Sequence, residues 1–139
     1  MKALTVYRPW SLFIAYGDKR VENRSWRPPA HVLGKRVAIH SGKHFDEYPV
    51  ELAEELGLIA DMLHAKELPT GIVATAIVSG CAERMLHVPV DQERWFSGPF
   101  GWLLGDVKAF REPIPCLGAQ GLWTVPEDIE KEIQRRNAA

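Results

Sequence analysis

The sequence predicts an α+β fold in which five to six short strands curl into a small β-barrel, with a short helix after the first strand, a helical insertion and a C-terminal helix. Three observations predict it. Apolar and polar residues alternate along short stretches such as 2–7 and 36–41, which is the two-residue period of a strand. Helical spacing is confined to three places in the chain. No repeat, low-complexity tract or linker interrupts the 139 residues, so we expect a single domain over residues 1–139.

The first strand, residues 2–7, leads into a short helix. Trp10, Phe13, Ile14 and Gly17 recur at the i, i+3, i+4, i+7 spacing of one helical face. We expect the apolar stripe to be core and Gly17 to end the helix in a left-handed conformation.

An extended segment follows over residues 21–26 and ends at two prolines, Pro28 and Pro29, because proline cannot donate to a strand ladder. In a regular strand Glu22, Arg24 and Trp26 share one face. Lys19 joins them only if it lies in the turn or if a bulge intervenes.

The remaining elements alternate strands with polar or helical stretches. Residues 72–78 are apolar or small, which favours a central strand that is covered on both faces. The other expected elements are a strand at 36–41, one kinked or two short helices at 46–63, a surface loop bordering the cleft at 84–97, strands at 100–110 and 122–125, and a helix at 126–136.

Composition is that of an ordinary globular protein, with 46% hydrophobic and 25% charged residues. The net charge of −1 is unevenly distributed, because residues 1–44 carry nine Lys or Arg and only two acids. This asymmetry indicates either a solvated surface of mixed charge or a positive face that attracts phosphate-bearing ligands.

Two features bear on location. No apolar run approaches the ~18–20 residues needed to span a bilayer, and the N-terminus lacks the pattern of a secretion signal. Cys81 and Cys116 belong to no C-x-x-C pair, so we expect thiols rather than a disulfide. Both features favour a cytoplasmic protein without a membrane partner.

The richest stretch of the chain is residues 17–26, where three cations, a glutamate, an asparagine and a tryptophan follow the helix end. Five motifs in the chain belong with or follow this stretch, namely Arg8-Pro9-Trp10, Gly17-x-Lys19-x-Val21-Glu22-x-Arg24-x-Trp26, Arg36-x-Ala38-Ile39-His40-x-Gly42-Lys43, Gly98-Pro99-Phe100-Gly101-Trp102 and Gly121-Leu122-Trp123. Together these motifs resemble the ASCH domain family, whose fold is similar to the PUA domain of RNA-modifying enzymes.

The resemblance implies a PUA-like barrel with a cleft lined by the segment after the first helix, and a function involving RNA, DNA or modified nucleosides. Characterised members include nucleic-acid binders, a ribonuclease-like member and an enzyme that hydrolyses N4-acetylcytidine. That amidohydrolase branch carries a Gly-x-Lys-x-x-Thr-x-Arg motif. Lys19 and Arg24 match it, whereas Glu22 occupies the threonine position.

We therefore expect a basic cleft that binds RNA, another single-stranded nucleic acid or a nucleotide. Lys19, Arg24 and Lys43 would engage phosphate or a base carbonyl, Glu22 and Asn23 would read hydrogen-bonding edges, and Trp26 or Trp102 would stack on a base. The expected ligand-binding residues are Arg8, Lys19, Glu22, Asn23, Arg24, Trp26, His40, Ser41, Gly42, Lys43 and Trp102.

Other functions remain open. A hydrolase acting on an N4-acylcytidine-like nucleoside, or a ribonuclease, would use Glu22 to activate water and Lys19 to stabilise an oxyanion. The acidic segment 46–63 could instead dock a protein partner. His40 and His44 straddle Gly42 rather than one helix, and no standard ligand motif accompanies them, so we expect neither a metal site nor a cofactor.

Overall fold

The computed structural model describes residues 1–64 and 67–138, and its core is one six-stranded mixed sheet. The strands are β1 (Lys2–Arg8), β2 (Val21–Arg24), β3 (Arg36–Phe45), β4 (Gly71–Ala82), β5 (Phe100–Ile114) and β6 (Leu122–Thr124). The helices are α1 (Trp10–Tyr16), α2 (Ala53–Leu63) and α3 (Glu127–Ala138), with short 3-10 helices at Ala30–Val32, Val50–Leu52, Met85–His87 and Val90–Trp95.

The strand order is β2-β5-β4-β3-β1-β6. Only β1 and β3 run parallel, while the other neighbouring pairs are antiparallel. The α+β class and the six strands are confirmed. The barrel, however, is not closed by strand pairing, because β2 and β6 remain at the two edges of the sheet.

Short edge strands explain the open sheet. β2 has four residues and is followed closely by Pro28 and Pro29, which cannot continue a ladder, and β6 has three residues. The side chain of Arg24, on the edge strand β2, reaches β1 near the opposite edge of the sheet, where its Nη1 donates to the carbonyl of Thr5 at 3.2 Å. A side chain therefore spans part of the gap between the two ends of the sheet.

The apolar core lies on both faces of the central strands. β4 is buried at its first six residues, as the uninterrupted apolar run predicted. One cluster of buried residues joins α1 to the central strands, a second packs α1 and α2 against the 3-10 segment that ends at Trp95, and a third includes Ile133 of α3. Helix α1 therefore packs against the sheet, and the segment that follows it lines a cleft.

Several element boundaries differ from the sequence-based prediction. Gly17 is extended at φ −119° and ψ −156° rather than left-handed. A Cβ on Gly17 would lie 2.9 Å from the Phe13 carbonyl oxygen, so close approach, not positive φ, explains the glycine. β3 continues to Phe45 instead of ending at Ser41, and the helical part of segment 46–63 begins only at Val50.

No helix in the described part of the chain is long and apolar enough to cross a membrane.

Candidate functional site

A cleft of about 930 Å³ opens beside β1, β2 and the segment that joins α1 to β2. Its other walls come from residues 46–52, 94–97 and 120–121. Five of the expected ligand-binding residues lie along it, namely Lys19, Glu22, Asn23, Arg24 and Trp26. Because these residues follow one another in sequence, one short segment supplies most of the chemistry of the cleft.

Lys19 is turned inward and only 2% exposed. It lies in the turn after α1, where its backbone N–H donates to the Phe13 carbonyl at 3.2 Å. Its Nζ donates to the Val21 carbonyl and lies 3.7 Å from Oε1 of Glu22. The turn therefore brings Lys19 and Glu22 together. A turn was one of the two possibilities given by the sequence, the other being a bulge in the strand.

Burial sets the electrostatics of this pair. Desolvation lowers the pKa of Lys19 below its ordinary value, and the neighbouring Glu22 carboxylate opposes that shift. The ammonium also lies over the ring of Trp95, 5.7 Å from its centroid. A lysine in this setting is held in one place by three neighbours and presents a donor of reduced basicity to the cleft.

Glu22 holds two cations at once. Its Oε2 accepts a hydrogen bond from Arg24 Nη1 at 3.2 Å, while Oε1 faces Lys19. Glu22 is 7% exposed, so this ion-pair triad is largely removed from water. The Arg24 guanidinium also lies 5.7 Å from the Trp26 ring centroid.

Asn23 lines the cleft, but its amide already has partners. Nδ2 donates to the Trp95 carbonyl at 2.8 Å, and Oδ1 accepts from the backbone N–H groups of Ser97 and Gly98 at 2.9 and 3.1 Å. The Asn23 amide is therefore not available to recognise a base edge, which the sequence had predicted it would do. Asn23 instead fixes the wall formed by residues 95–98.

The tryptophans divide into two groups. Trp10, Trp26 and Trp95 line the cleft. Trp10 was expected in the core, yet it is only partly buried, and its Nε1 donates to Asp46 Oδ2 at 3.1 Å. Trp102 was the alternative to Trp26 for stacking on a base, but it is completely buried. Its ring is edge-on to that of Trp26, with the centroids 4.9 Å apart, and its Nε1 donates to the Trp26 carbonyl. Trp102 thus packs against Trp26 from the core and helps to hold it in the cleft wall.

The expected phosphate-contacting rim at residues 40–43, together with Arg8, is not part of the cleft lining. Because β3 runs on to Phe45, these positions lie within a strand. His40 and Ser41 are buried, bonded to the Cys116 carbonyl and to Ser11 and Pro69 respectively, and Arg8 donates to the Leu68 and Lys43 carbonyls. Gly42 is also buried, whereas Lys43 is exposed.

Solved structures with the same architecture include the crystal structure of ASCH from Zymomonas mobilis, which matches with a TM-score of 0.55 at 17% identity, covering 96% of this chain and 93% of that one. The fold is ASCH-like. A tyrosine-to-phenylalanine variant of the same protein gives a TM-score of 0.55 at 16% identity, covering 96% of both chains. A serine-to-alanine variant gives 0.54 at 16% identity, covering 97% of this chain and 94% of that one. No protein-family model and no curated protein matches the sequence.

Sequence reasoning missed several residues of the site on this ASCH-like fold. Gln92, 5% exposed, accepts a hydrogen bond from Arg20 N at 2.6 Å and donates to the Asp18 carbonyl at 2.8 Å, so it grips the backbone on both sides of Lys19. Trp95 follows three residues later and forms a cleft wall. The polar segment 84–97 was expected to border the cleft, and that expectation is correct, but nothing in its sequence singles out these two side chains.

Charge along the cleft is balanced. Three cations, Lys19, Arg24 and Arg94, line it together with three acids, Glu22, Asp46 and Glu51. Arg94 is itself paired with Asp18 and Glu55. The positive N-terminal third of the sequence therefore does not produce a strongly positive cleft.

A metal site requires several ligating side chains that lie close together. Within residues 1–64 and 67–138 no three His, Cys, Asp or Glu side chains lie close enough together to hold an ion. His40 contacts the Cys116 carbonyl, and His44 Nε2 lies 4.0 Å from Asp46 Oδ1.

Proposed function

We propose that the cleft binds a nucleobase, carried by RNA, by another single-stranded nucleic acid or by a free nucleotide. The observation that carries this proposal is the buried Lys19–Glu22–Arg24 triad beside three tryptophans. Glu22 supplies acceptors for an exocyclic amine, and Lys19 and Arg24 supply donors for a ring carbonyl. Trp10, Trp26 and Trp95 supply aromatic surface, which is how single-stranded bases are commonly held.

Balanced charge favours recognition of a base over recognition of a long phosphate backbone. Each phosphate that a protein neutralises steepens the fall of affinity with salt. The cleft has as many acids as cations along it. We therefore expect binding of a single-stranded RNA to depend on salt with a slope that corresponds to only a few phosphate contacts.

Tryptophan fluorescence during titration with cytidine 5′-monophosphate and with a short single-stranded RNA tests the proposal. Glu22→Gln should weaken binding about ten-fold or more, since hydrogen bonds to charged groups are worth roughly 1.5–3 kcal/mol. Glu127→Gln is the matched control, because Glu127 is exposed on α3 and undergoes the same change of charge. Absence of binding to both ligands at low salt would contradict the proposal.

Hydrolysis is the second candidate, and the reduced pKa of Lys19 next to Glu22 favours it. On an N4-acylated cytidine, Glu22 would take a proton from the attacking water and Lys19 would stabilise the oxyanion that forms on the acyl carbonyl. The bond between the acyl carbon and N4 would then break as Glu22 passes the proton to the leaving nitrogen, releasing cytidine and the carboxylic acid. A ribonuclease reaction would place the same two residues beside a phosphodiester.

Both reactions are checked with N4-acetylcytidine and with an end-labelled RNA, following free cytidine and RNA fragments by chromatography. Lys19→Met and Glu22→Gln should each abolish product, and Lys131→Met, an exposed lysine on α3, should not. Product formation that survives both substitutions would exclude the proposed chemistry.

The protein-docking role of segment 46–63 stays a prediction. Val50, Leu58 and Met62 are exposed there, next to several acids. Affinity capture of a basic protein that is lost when Glu54 and Asp61 are replaced by lysine would support it, and capture that is unchanged would count against it.

A further inference from the structure

Two aromatic side chains stand at the edge of the cleft, outside the triad. Tyr7 lines the cleft and is 48% exposed. His44 is also exposed, and its ring centroid lies 4.4 Å from that of Tyr7, with the two planes tilted by 57°. We call this pair the Tyr7–His44 step.

An irregularity in the sheet builds this step. Val6 pairs with Ser41 and Arg8 pairs with Phe45, so one residue of β1, Tyr7, lies opposite three residues of β3, 42–44. The extra residues of β3 form a bulge opposite Tyr7. Bulges commonly re-aim side chains beside functional sites, and this one brings His44 against Tyr7.

Asp46 connects the step to the cleft. Its Oδ2 accepts the indole hydrogen bond of Trp10, and its Oδ1 lies 4.0 Å from Nε2 of His44. Trp10, Asp46 and Tyr7 all line the cleft. Asp46 therefore bridges Trp10, which lines the cleft, and His44 of the step.

Size and charge agree with a ligand that extends beyond the interior. The cleft volume of about 930 Å³ lies near the upper end of the roughly 300–1,000 Å³ typical of small-molecule sites. Lys43 belongs to the same bulge, directly precedes His44 in the chain and is exposed, so its ammonium is free to reach a ligand phosphate. An aromatic surface with a nearby cation is the usual arrangement for stacking one base and neutralising its phosphate.

We propose that the Tyr7–His44 step is a second nucleotide subsite, so that the cleft takes two consecutive nucleotides of a single strand in preference to a lone nucleotide. The proposal rests on the proposed function, because the first base must occupy the interior of the cleft. The base in the second position stacks on Tyr7 and His44, and Lys43 contacts the phosphate that joins the two nucleotides.

Affinities for cytidine 5′-monophosphate and for the dinucleotide CpC, carrying a 5′-phosphate, test this subsite. In the unmodified protein CpC should bind about ten-fold more tightly, since stacking one base on aromatic side chains corresponds to a gain of this order. His44→Ala and Tyr7→Leu should each bring the ratio of the two affinities close to one. His31→Ala, an exposed histidine in the 3-10 helix Ala30–Val32, should leave the ratio unchanged.

The outcomes separate the two proposals. Equal affinities for the two ligands in the unmodified protein would overturn the second subsite and leave the cleft proposal standing. A ratio that stays near ten in both His44→Ala and Tyr7→Leu would overturn the location of the subsite. Failure of both ligands to bind would overturn the proposed function, and the second subsite with it.

Discussion

The ammonium of Lys19 and a carboxylate oxygen of Glu22 lie 3.7 Å apart, and both side chains are almost completely removed from solvent. Arg24 approaches the other oxygen of the same carboxylate at 3.2 Å. Taking such charges out of water costs several kcal/mol per ion unless each is compensated. The triad is therefore a costly arrangement for stability alone, which is consistent with a role in binding.

Loss of Glu22 should be strongly destabilising. Glu22→Gln keeps the shape of the side chain but leaves Lys19 buried without its counter-ion, and removing one partner of a buried pair costs about 3–5 kcal/mol. Urea denaturation should show a drop of this size in the free energy of unfolding. Lys19→Met in the Glu22→Gln background should recover part of it, because the uncompensated charge is gone; further destabilisation would contradict this account.

The lowered pKa of Lys19 should make the free energy of unfolding depend on pH. Burial lowers its pKa in the folded protein below the 10.5 of the unfolded chain. Between those two values the unfolded state holds a proton that the folded state has released, so the free energy of unfolding rises with pH. The rise appears in urea denaturation across alkaline pH as a difference between the unmodified protein and Lys19→Met. An identical pH profile for the two proteins would show that Lys19 has an ordinary pKa.

Gln92 should act as a positioning residue for Lys19. Its amide bonds to the backbone on both sides of Lys19, so Gln92→Ala leaves Arg20 N and the Asp18 carbonyl unpaired. We expect weaker nucleotide binding together with a shift of the Lys19 pKa towards its ordinary value, measured by NMR titration of the Nζ signal. Gln92→Glu retains the acceptor for Arg20 N and should be the milder change. Loss of stability in Gln92→Ala without any effect on binding or on that pKa would indicate a purely structural residue.

Gly118 should be intolerant of a side chain because of His40. A Cβ on Gly118 would clash with the imidazole ring, lying 2.6 Å from its Nδ1. His40 holds the segment that leads to the cleft wall at Gln120, through its bond to the Cys116 carbonyl at 2.8 Å. Gly118→Ala should lower both the melting temperature and the nucleotide affinity, and His40→Ala in that background should restore part of the melting temperature. Full tolerance of Gly118→Ala would contradict the packing.

Most of the fold could be predicted because its signals are local. The apolar spacing of Trp10, Phe13 and Ile14 identified α1, and the run at 72–78 identified the central strand. Strand ends were harder, because β3 continues through the polar residues after Ser41 by pairing with β1, which no local pattern reveals. The barrel is not closed by strand pairing, since the short strands β2 and β6 stay at the two edges of the sheet, and no local pattern in the sequence reveals whether two edge strands meet.

The residues of the site also differ in whether a local sequence pattern reveals them. Lys19, Glu22, Arg24 and Trp26 could be found because one short segment contains them all. Trp95 could not be found in this way, since it reaches the cleft from a polar segment distant in sequence. The burial of Trp102 could not be predicted. The alternation along β5 indicates which face of the strand carries a side chain, but not whether that face borders the cleft or the core.

The indole N–H signals of the five tryptophans in a ¹H–¹⁵N spectrum test most directly whether a nucleobase occupies the cleft between the triad and the three cleft tryptophans. The signals are followed during titration with cytidine 5′-monophosphate. We predict that Trp10, Trp26 and Trp95, which line the cleft, show the largest shifts. Unchanged signals for these three, or shifts confined to Trp102 and Trp123, would contradict the claim.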